Sequence, residues 1–459
     1  MKTVLALLAL VGLSSTAPSP QPAQDGVSSR AAWPNGPFVT SGRWILDASG
    51  KNLTYAGTNW PGHADVMIPE GLQYQSIESI VQKIKSIGMN AVRLTFAIQM
   101  VDEIYTNGGQ DVTIQKAFVQ ALGQANGTRV LNQVLAKNPR FTASTTRLQV
   151  FDAVAAELAR NQIYVHLDNH ISKGTWCCSS TDGNGWWGDQ YFSTANWTRG
   201  LAYMANHVCL SPSPLRVFLT PLYPPSLFPL CKPRPNRNQG KSWPALTSIG
   251  LRNEPRDPTS NAALSRSSYN WQTWYAAMRQ GADAVHAANP APLIFLSGLS
   301  YDTFLTPVVQ GTALAPGTGK FSRADFAGYG GDKLVLELHN YENSASSCDS
   351  LKGNLQKNGF EALDASVKGR NVFPVLMTEW GFQMDDTTWK GVYASCLAGY
   401  LPSLKAGWTI WVLAGSYYVR SGTQDYEEGW GLLNHDWSAW RSPSFVDGAL
   451  RGMIKNTLS

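Results

Sequence analysis

Apolar positions along this chain follow two periods that take turns. Runs of six to eight residues rich in aliphatic and β-branched side chains recur at Asn52–Asn59, Asn90–Phe96, Ile163–Asp168, Leu246–Leu251, Pro292–Gly298, Lys333–Leu338, Phe373–Thr378 and Trp408–Leu413. Runs of this length with little alternation suit strands buried on both faces. The stretches between them space apolar residues three and four apart. Gln75–Ile87, for instance, sets Ile77, Ile80, Val81, Ile84 and Ile87 on one helical face. Thr146–Arg160, Asn196–His207, Ser268–Ala288 and Trp389–Leu404 repeat that period, and Phe445–Lys455 reads as a closing helix. Eight buried strands in strict alternation with helices predict an α/β chain with a single parallel (β/α)₈ (TIM) barrel over residues 37–459. In such a barrel the functional groups collect at the C-terminal ends of the strands.

Those ends are where this chain stops being apolar. They carry Trp60 and His63, Arg93, then His166, Asp168, Asn169 and His170, Asn253 with Glu254, Ser297, His339 with Asn340 and Tyr341, Glu379 with Trp380, and Trp411. Any one of these alone is as readily structural as functional; their conjunction carries the reading. Two of the runs end in a glutamate, Ile249-Gly250-Leu251-Arg252-Asn253-Glu254-Pro255 and Val375-Leu376-Met377-Thr378-Glu379. Two glutamates at the ends of two strands are the minimum equipment for glycoside hydrolysis by paired carboxylates.

Composition adds a location and an anomaly. Met1-Lys2-Thr3, the apolar run Val4–Leu13 and the small residues Ser14–Ala17 have the plan of a secretory signal over residues 1–17. Pro18 directly after Ala17 favours a cut a few residues later. Residues 18–36, rich in Pro, Ser, Gln and Ala, are expected to be loose. A secreted product permits disulfides, and the sequons at Asn52, Asn126 and Asn196 become candidate glycan sites. The segment 208–239 holds 8 of the 26 prolines and four basic residues with no acidic one, and it breaks in between a helix and a strand. It reads as a Pro-rich surface loop or as a retained intron. Val-Cys can be encoded by GTATGT, a usual intron start, and Gln by CAG, a usual intron end. Its four bases and Lys2 account for the formal charge of +5, so the remainder is near neutral and suggests no nucleic-acid or membrane partner.

The motifs resemble one known family. Arg93 in Asn-Ala-Val-Arg-Leu, His170 in His-Leu-Asp-Asn-His, Asn253-Glu254-Pro255, His339-Asn340-Tyr341, Glu379 in Thr-Glu-Trp-Gly and Trp411 in Trp-Thr-Ile-Trp are similar to glycoside hydrolase family 5, the cellulase-type barrels, in the family's own order from about residue 42 to about residue 440. The resemblance implies that Glu254 is the acid/base and Glu379 the nucleophile of a retaining hydrolase. It implies that Asn253 binds the sugar 2-hydroxyl, that Arg93 and Tyr341 hold and polarise the nucleophile, and that His170 and His339 line the sugar site. Trp411 would be the floor on which the sugar stacks. The physics of the roles agrees: a cation beside Glu379 keeps it ionised, and a partly desolvated Glu254 starts protonated.

Substrate and connectivity are less determined. The expected reaction is hydrolysis of β-1,4-glucan by a monomer, with another β-glycan or a β-glucoside or diglycoside as second choice and an inactive carbohydrate-binding scaffold as the competing class. No cofactor or metal is expected, because His166 and His170 lack a third ligand at a metal spacing. The loop Lys173–Asp189 reads either as a cleft wall with Trp186 or Trp187 stacking on sugar, or as a structural loop anchored by disulfides. Adjacent Cys177 and Cys178 pair with each other only with difficulty, so they are expected to bridge to Cys348 and Cys396. Excision of 208–239 would also remove Cys209 and Cys231, leaving an even four. The excursion Gln99–Ser144 is expected to roof the cleft.

Overall fold

The computed structural model describes residues 33–208, 243–326 and 328–459. The expected signal segment and nearly all of the Pro-rich insert therefore lie outside the described residues. A short hairpin, β1 (Val39–Ser41) and β2 (Trp44–Leu46), leads into eight parallel strands: β3 (Ala56–Trp60), β4 (Ala91–Ala97), β5 (Tyr164–Ile171), β6 (Leu246–Gly250), β7 (Leu293–Ser297), β8 (Leu334–Asn340), β9 (Val375–Trp380) and β10 (Trp408–Ile410). They close in the order β10-β3-β4-β5-β6-β7-β8-β9. A second hairpin, β11 (Ser416–Arg420) and β12 (Thr423–Glu427), follows the last barrel strand. All eight expected strands are present, and the differences fall at their ends. The first begins at Ala56 because Asn52 and Leu53 pair with Leu46 and Ile45 of the hairpin instead. β5 runs on to Ile171, and a register shift against β4 at Phe96/Ala97 accommodates the extra length.

The helices form where the apolar period and the capping residues agree. In Ile77–Ser86 the Ser76 hydroxyl accepts from the Ser79 amide, and Ile77, Ile80, Val81 and Ile84 are buried. Burying such a side chain is worth about 1.5–3 kcal/mol, so this face, more than helix propensity, holds the helix to the barrel. Arg147–Arg160 opens with a reciprocal capping box between Thr146 and Gln149. Phe38 and Ile45 of the first hairpin join Ala91, Tyr164, Leu293 and Val335, from the starts of four strands, in a separate cluster that closes the N-terminal mouth. Trp33 and Pro34, in the stretch expected to be loose, make contacts here: Trp33 stacks on Tyr164 at 5.5 Å and the Pro34 carbonyl accepts from the Tyr164 hydroxyl. Gln99–Ser144 folds into helices that contact the hairpin β11–β12. Phe118 packs edge-on to Tyr418 at 5.0 Å, and the Leu122 carbonyl accepts from Gln424 of β12. No helix among the described residues is long and apolar enough to cross a membrane.

The two sides of the insert stand together. The Trp243 amide donates to the Val208 carbonyl at 3.3 Å, while His207 Nε2 and Trp243 Nε1 lie 2.9 and 2.7 Å from the same oxygen of buried Asp152. A chain that leaves and returns at one point can be shortened without pulling on the barrel. Protein lacking residues 208–239 is accordingly expected to melt within about 4 °C of the full chain, a change of roughly 1 kcal/mol. A loss of cooperative unfolding would count against a dispensable insert, and sequencing of the transcript tests the intron reading directly.

Candidate active site

The site is assembled around one buried cation. Register aligns Asn59, Arg93, His166 and Ser248 across β3 to β6. Arg93 is fully buried at the heart of this row. Its fork spreads over the site: Nη1 donates to Asn59 Oδ1 (3.1 Å) and Glu379 Oε1 (2.7 Å), and Nη2 to Asn253 Oδ1 (2.8 Å). Nη2 also lies 3.0 Å from Asp168 Oδ1 and 3.9 Å from Glu337 Oε2. Burial by itself would weaken the guanidinium, but Asp168, Glu379 and Glu337 outweigh it and hold the charge in place.

The two glutamates have unequal company. Glu379, near the end of β9, accepts from Arg93 and, through Oε2, from the Tyr341 hydroxyl at 2.8 Å. Glu254 lies four residues beyond the end of β6 with φ at +46°, a left-handed conformation that a non-glycine residue adopts at a cost of about 1–3 kcal/mol. Its Oε1 is 2.9 Å from His339 Nδ1. One carboxylate oxygen from each glutamate and a ring nitrogen of His339 all lie within 4.8 Å of one another. Burial, the largest cause, raises both carboxyls to about 7, with Asp168 and Asp182 adding to the rise at Glu254 and the charge of Glu254 adding to it at Glu379. Two acids this close give up their protons in sequence. The first comes from Glu379, where the Arg93 and Tyr341 donors stand, which leaves Glu254 protonated. Burial lowers the pKa of His339 and keeps its ring neutral.

The walls are aromatic. Trp411, 8% exposed, stacks on His170 with ring centres 5.5 Å apart and planes 12° from parallel. His170 Nδ1 is fixed by Asp168 Oδ2 at 2.7 Å, and its other face meets His63 at 3.9 Å. All eight expected site residues (Arg93, His170, Asn253, Glu254, His339, Tyr341, Glu379 and Trp411) are thus brought into one connected cluster.

Two expectations are corrected. Cys177 and Cys178 are bonded to each other and Cys348 is bonded to Cys396, so no bridge ties the third-strand loop to later parts of the barrel. A cis peptide brings the neighbouring Cα atoms to 3.0 Å, and the resulting disulfide lies against the Asn253 amide, 3.8 and 3.6 Å from the two sulfurs. Trp186 and Trp187 do not face a sugar. They are 0% and 6% exposed and pack with Tyr269, Phe192 and Trp197, so this part of the loop is structural. The loop's aromatic contribution to the wall is Trp176, edge-on to Trp411 at 6.3 Å and covered by the Arg420 guanidinium at 3.8 Å. Asp302 and Glu337, both fully buried beside His339, were missed by the sequence reading. A carboxylate inside the apolar run Val335-Leu336-Glu337-Leu338 was the signal for the second of them.

A profile described as Cellulase (glycosyl hydrolase family 5) matches residues 245–416, which hold both glutamates, His339 and Tyr341. A glycosyl hydrolase 5 family protein of Chamaecyparis obtusa is 31% identical over 429 residues, 89% of this chain. The chain is similar to members of glycoside hydrolase family 5. It spans 65% of the length of that cypress relative. An endoglucanase of Paenibacillus polymyxa is 22% identical over 91% of this chain and 87% of its own length. The hyperthermophilic endocellulase of Pyrococcus horikoshii shares the fold with a TM-score of 0.60 at 17% identity, covering 92% of this chain and 98% of its own.

Removing the central cation strands three carboxylates in the interior. Arg93→Met is therefore expected to cost about 3–5 kcal/mol of stability, read by urea unfolding. A loss below about 1 kcal/mol would show that Arg93 does not hold the site together.

Proposed function

We propose that this chain is a secreted retaining β-glycoside hydrolase acting as an endo-β-1,4-glucanase. The observation that carries the chemistry is the close, unequal carboxyl pair. Oxygens of Glu254 and Glu379 come within 4.8 Å, which suits the roughly 5–5.5 Å of a retaining pair and not the 6.5–9.5 Å of an inverting one. Glu379, ionised by its donors, attacks the anomeric carbon. Glu254 protonates the departing oxygen and then, ionised, draws a proton from water as it opens the glycosyl-enzyme. Arg93 holds Asn253 and Glu379 together, so the nucleophile and the expected contact to the 2-hydroxyl are set by one group. Trp411 supplies an apolar platform for a pyranose face. The endoglucanase and endocellulase relatives favour β-1,4-glucan, and the N-terminal Lys2 and apolar Val4–Leu13 favour secretion. An inactive scaffold has little support, because no element of the double displacement is missing.

The tests separate roles. Glu379→Gln should abolish turnover on every substrate. Glu254→Gln should cost about 10²–10⁴-fold on unactivated glycans, yet still form the glycosyl-enzyme from an activated aryl glycoside, with azide restoring its release. An inverted first product, read by NMR, would overturn the nucleophile assignment. A screen over cellulose derivatives, mannan, xyloglucan, β-1,3- and β-1,6-glucans and aryl glycosides tests the substrate.

The pH dependence follows from the two carboxyls. Falling pH protonates Glu379 and removes the nucleophile, while rising pH through about 7 takes the proton from Glu254 and removes the acid. A bell-shaped kcat/KM is expected, with a basic limb that flattens for an aryl glycoside whose leaving group needs no proton. A basic limb that persists unchanged with that substrate would remove Glu254 from the acid role.

A further inference from the structure

Behind the two glutamates runs a buried line of polar atoms that the double displacement leaves unused. His339 forms its near end, with Nδ1 2.9 Å from Glu254 Oε1 and Nε2 3.1 Å from Thr378 Oγ1. Thr378 Oγ1 lies 2.8 Å from Glu337 Oε2. That oxygen is 3.9 Å from Arg93 Nη2, and the other oxygen of Glu337 has no hydrogen-bond partner. Asp302 Oδ2, also without a hydrogen bond, stands 3.5 Å from His339 Nε2. None of these side chains reaches solvent, so any proton they hold is held by their neighbours.

We infer that Glu254, His339, Thr378 and Glu337 form a proton wire in which one proton is shared between the acid/base and a second, remote carboxyl. This inference rests on the assignment of Glu254 as acid/base. In one polarity the Glu254 O–H donates to Nδ1, Nε2–H donates to Thr378, and the Thr378 hydroxyl donates to ionised Glu337 beside Arg93. Moving three protons by one hydrogen bond each (Glu254 to Nδ1, Nε2 to Oγ1, Oγ1 to Glu337) gives the reverse polarity, with Glu254 ionised and receiving Nδ1–H. No proton is gained or lost, and the four groups together keep one negative charge. The first polarity serves protonation of the leaving group, the second the attack of water. Thr378 touches no substrate; it is a positioning residue that sets which ring nitrogen carries the proton.

The direction of a break can be read from the neighbours. Glu254 also feels Arg256, Arg93, Asp168 and Asp182, and His339 feels Glu379, Arg93, Glu337 and Asp168. Thr378→Val leaves all of these in place and removes only the hydroxyl. Asp302 then remains beside Nε2, and burial and the charge of Glu337 keep its carboxyl protonated. It donates to Nε2, the ring proton moves to Nδ1, and Nδ1–H favours the ionised form of Glu254. The basic limb of kcat/KM on a glycan should therefore move to lower pH by about half to one unit, the worth of one hydrogen bond to the carboxyl. Thr378→Ser, which keeps the hydroxyl, should restore it.

The shift can also be followed without turnover, by titrating the ¹³C carboxyl resonance of Glu254 in an E379Q background with and without T378V. A Glu254 titration unmoved by T378V, or moved equally by T378S, would overturn the wire and leave Thr378 a packing residue. A wild-type chain that hydrolyses no aryl β-glycoside would instead refute the glycosidase reading, and the carboxyl titration would still decide the wire.

Discussion

A single guanidinium in the barrel makes the rest of the site possible. Arg93 is surrounded by Asp168, Glu337 and Glu379, all buried, so bulk solvent does little to dilute their charges. An excess of buried carboxyls over cations can persist only if some are protonated, because desolvating each unpaired anion costs several kcal/mol. Carboxyls near Arg93 ionise and those farther away keep their protons. That division is what the proposed roles of nucleophile, acid and proton reservoir require of chemically identical side chains. It also explains why Glu379, with two donors in contact, differs from Glu254, whose contact is a neutral imidazole.

Geometry enforces the division. Barrel closure aligns Asn59, Arg93 and His166 side by side and sets His339 opposite Glu379 across β8 and β9. The left-handed turn at Glu254 aims its carboxyl at His339. Around this polar centre the mouth is lined by flat surfaces. Trp411 lies on His170, Trp176 stands between Trp411 and Arg420, and the Cys177–Cys178 disulfide presses on the Asn253 amide. A rigid, mostly apolar rim around a few aimed polar groups is what a site needs to strip water from a sugar while fixing its orientation.

The sequence alone revealed the barrel strands, six of the helices and the eight residues that the fold gathers into one cluster. Each of those signals is local: a run of aliphatics, an apolar period of 3.6, or a polar residue where a buried strand ends. Asn253 and Glu254 were readable because Leu246–Leu251 stops being apolar directly before them, and Arg93 because a charge follows Asn90-Ala91-Val92. Pairings across the chain were not legible. Nothing near Cys177 says that its partner is the next residue, since that depends on the peptide geometry at one bond. Trp186 and Trp187 look like sugar platforms in a Gly-rich loop. They are core because Phe192 of the same connection, with Trp197 and Tyr269 from beyond it, packs against them. The relation of His339 to Thr378 and Glu337 likewise exists only after β8 and β9 align. Sequence determines what each residue can do and roughly where along an element it stands. Tertiary structure decides which charges share a dielectric and which protons share a path, because those energies depend on through-space distances of a few ångströms between residues far apart in the chain.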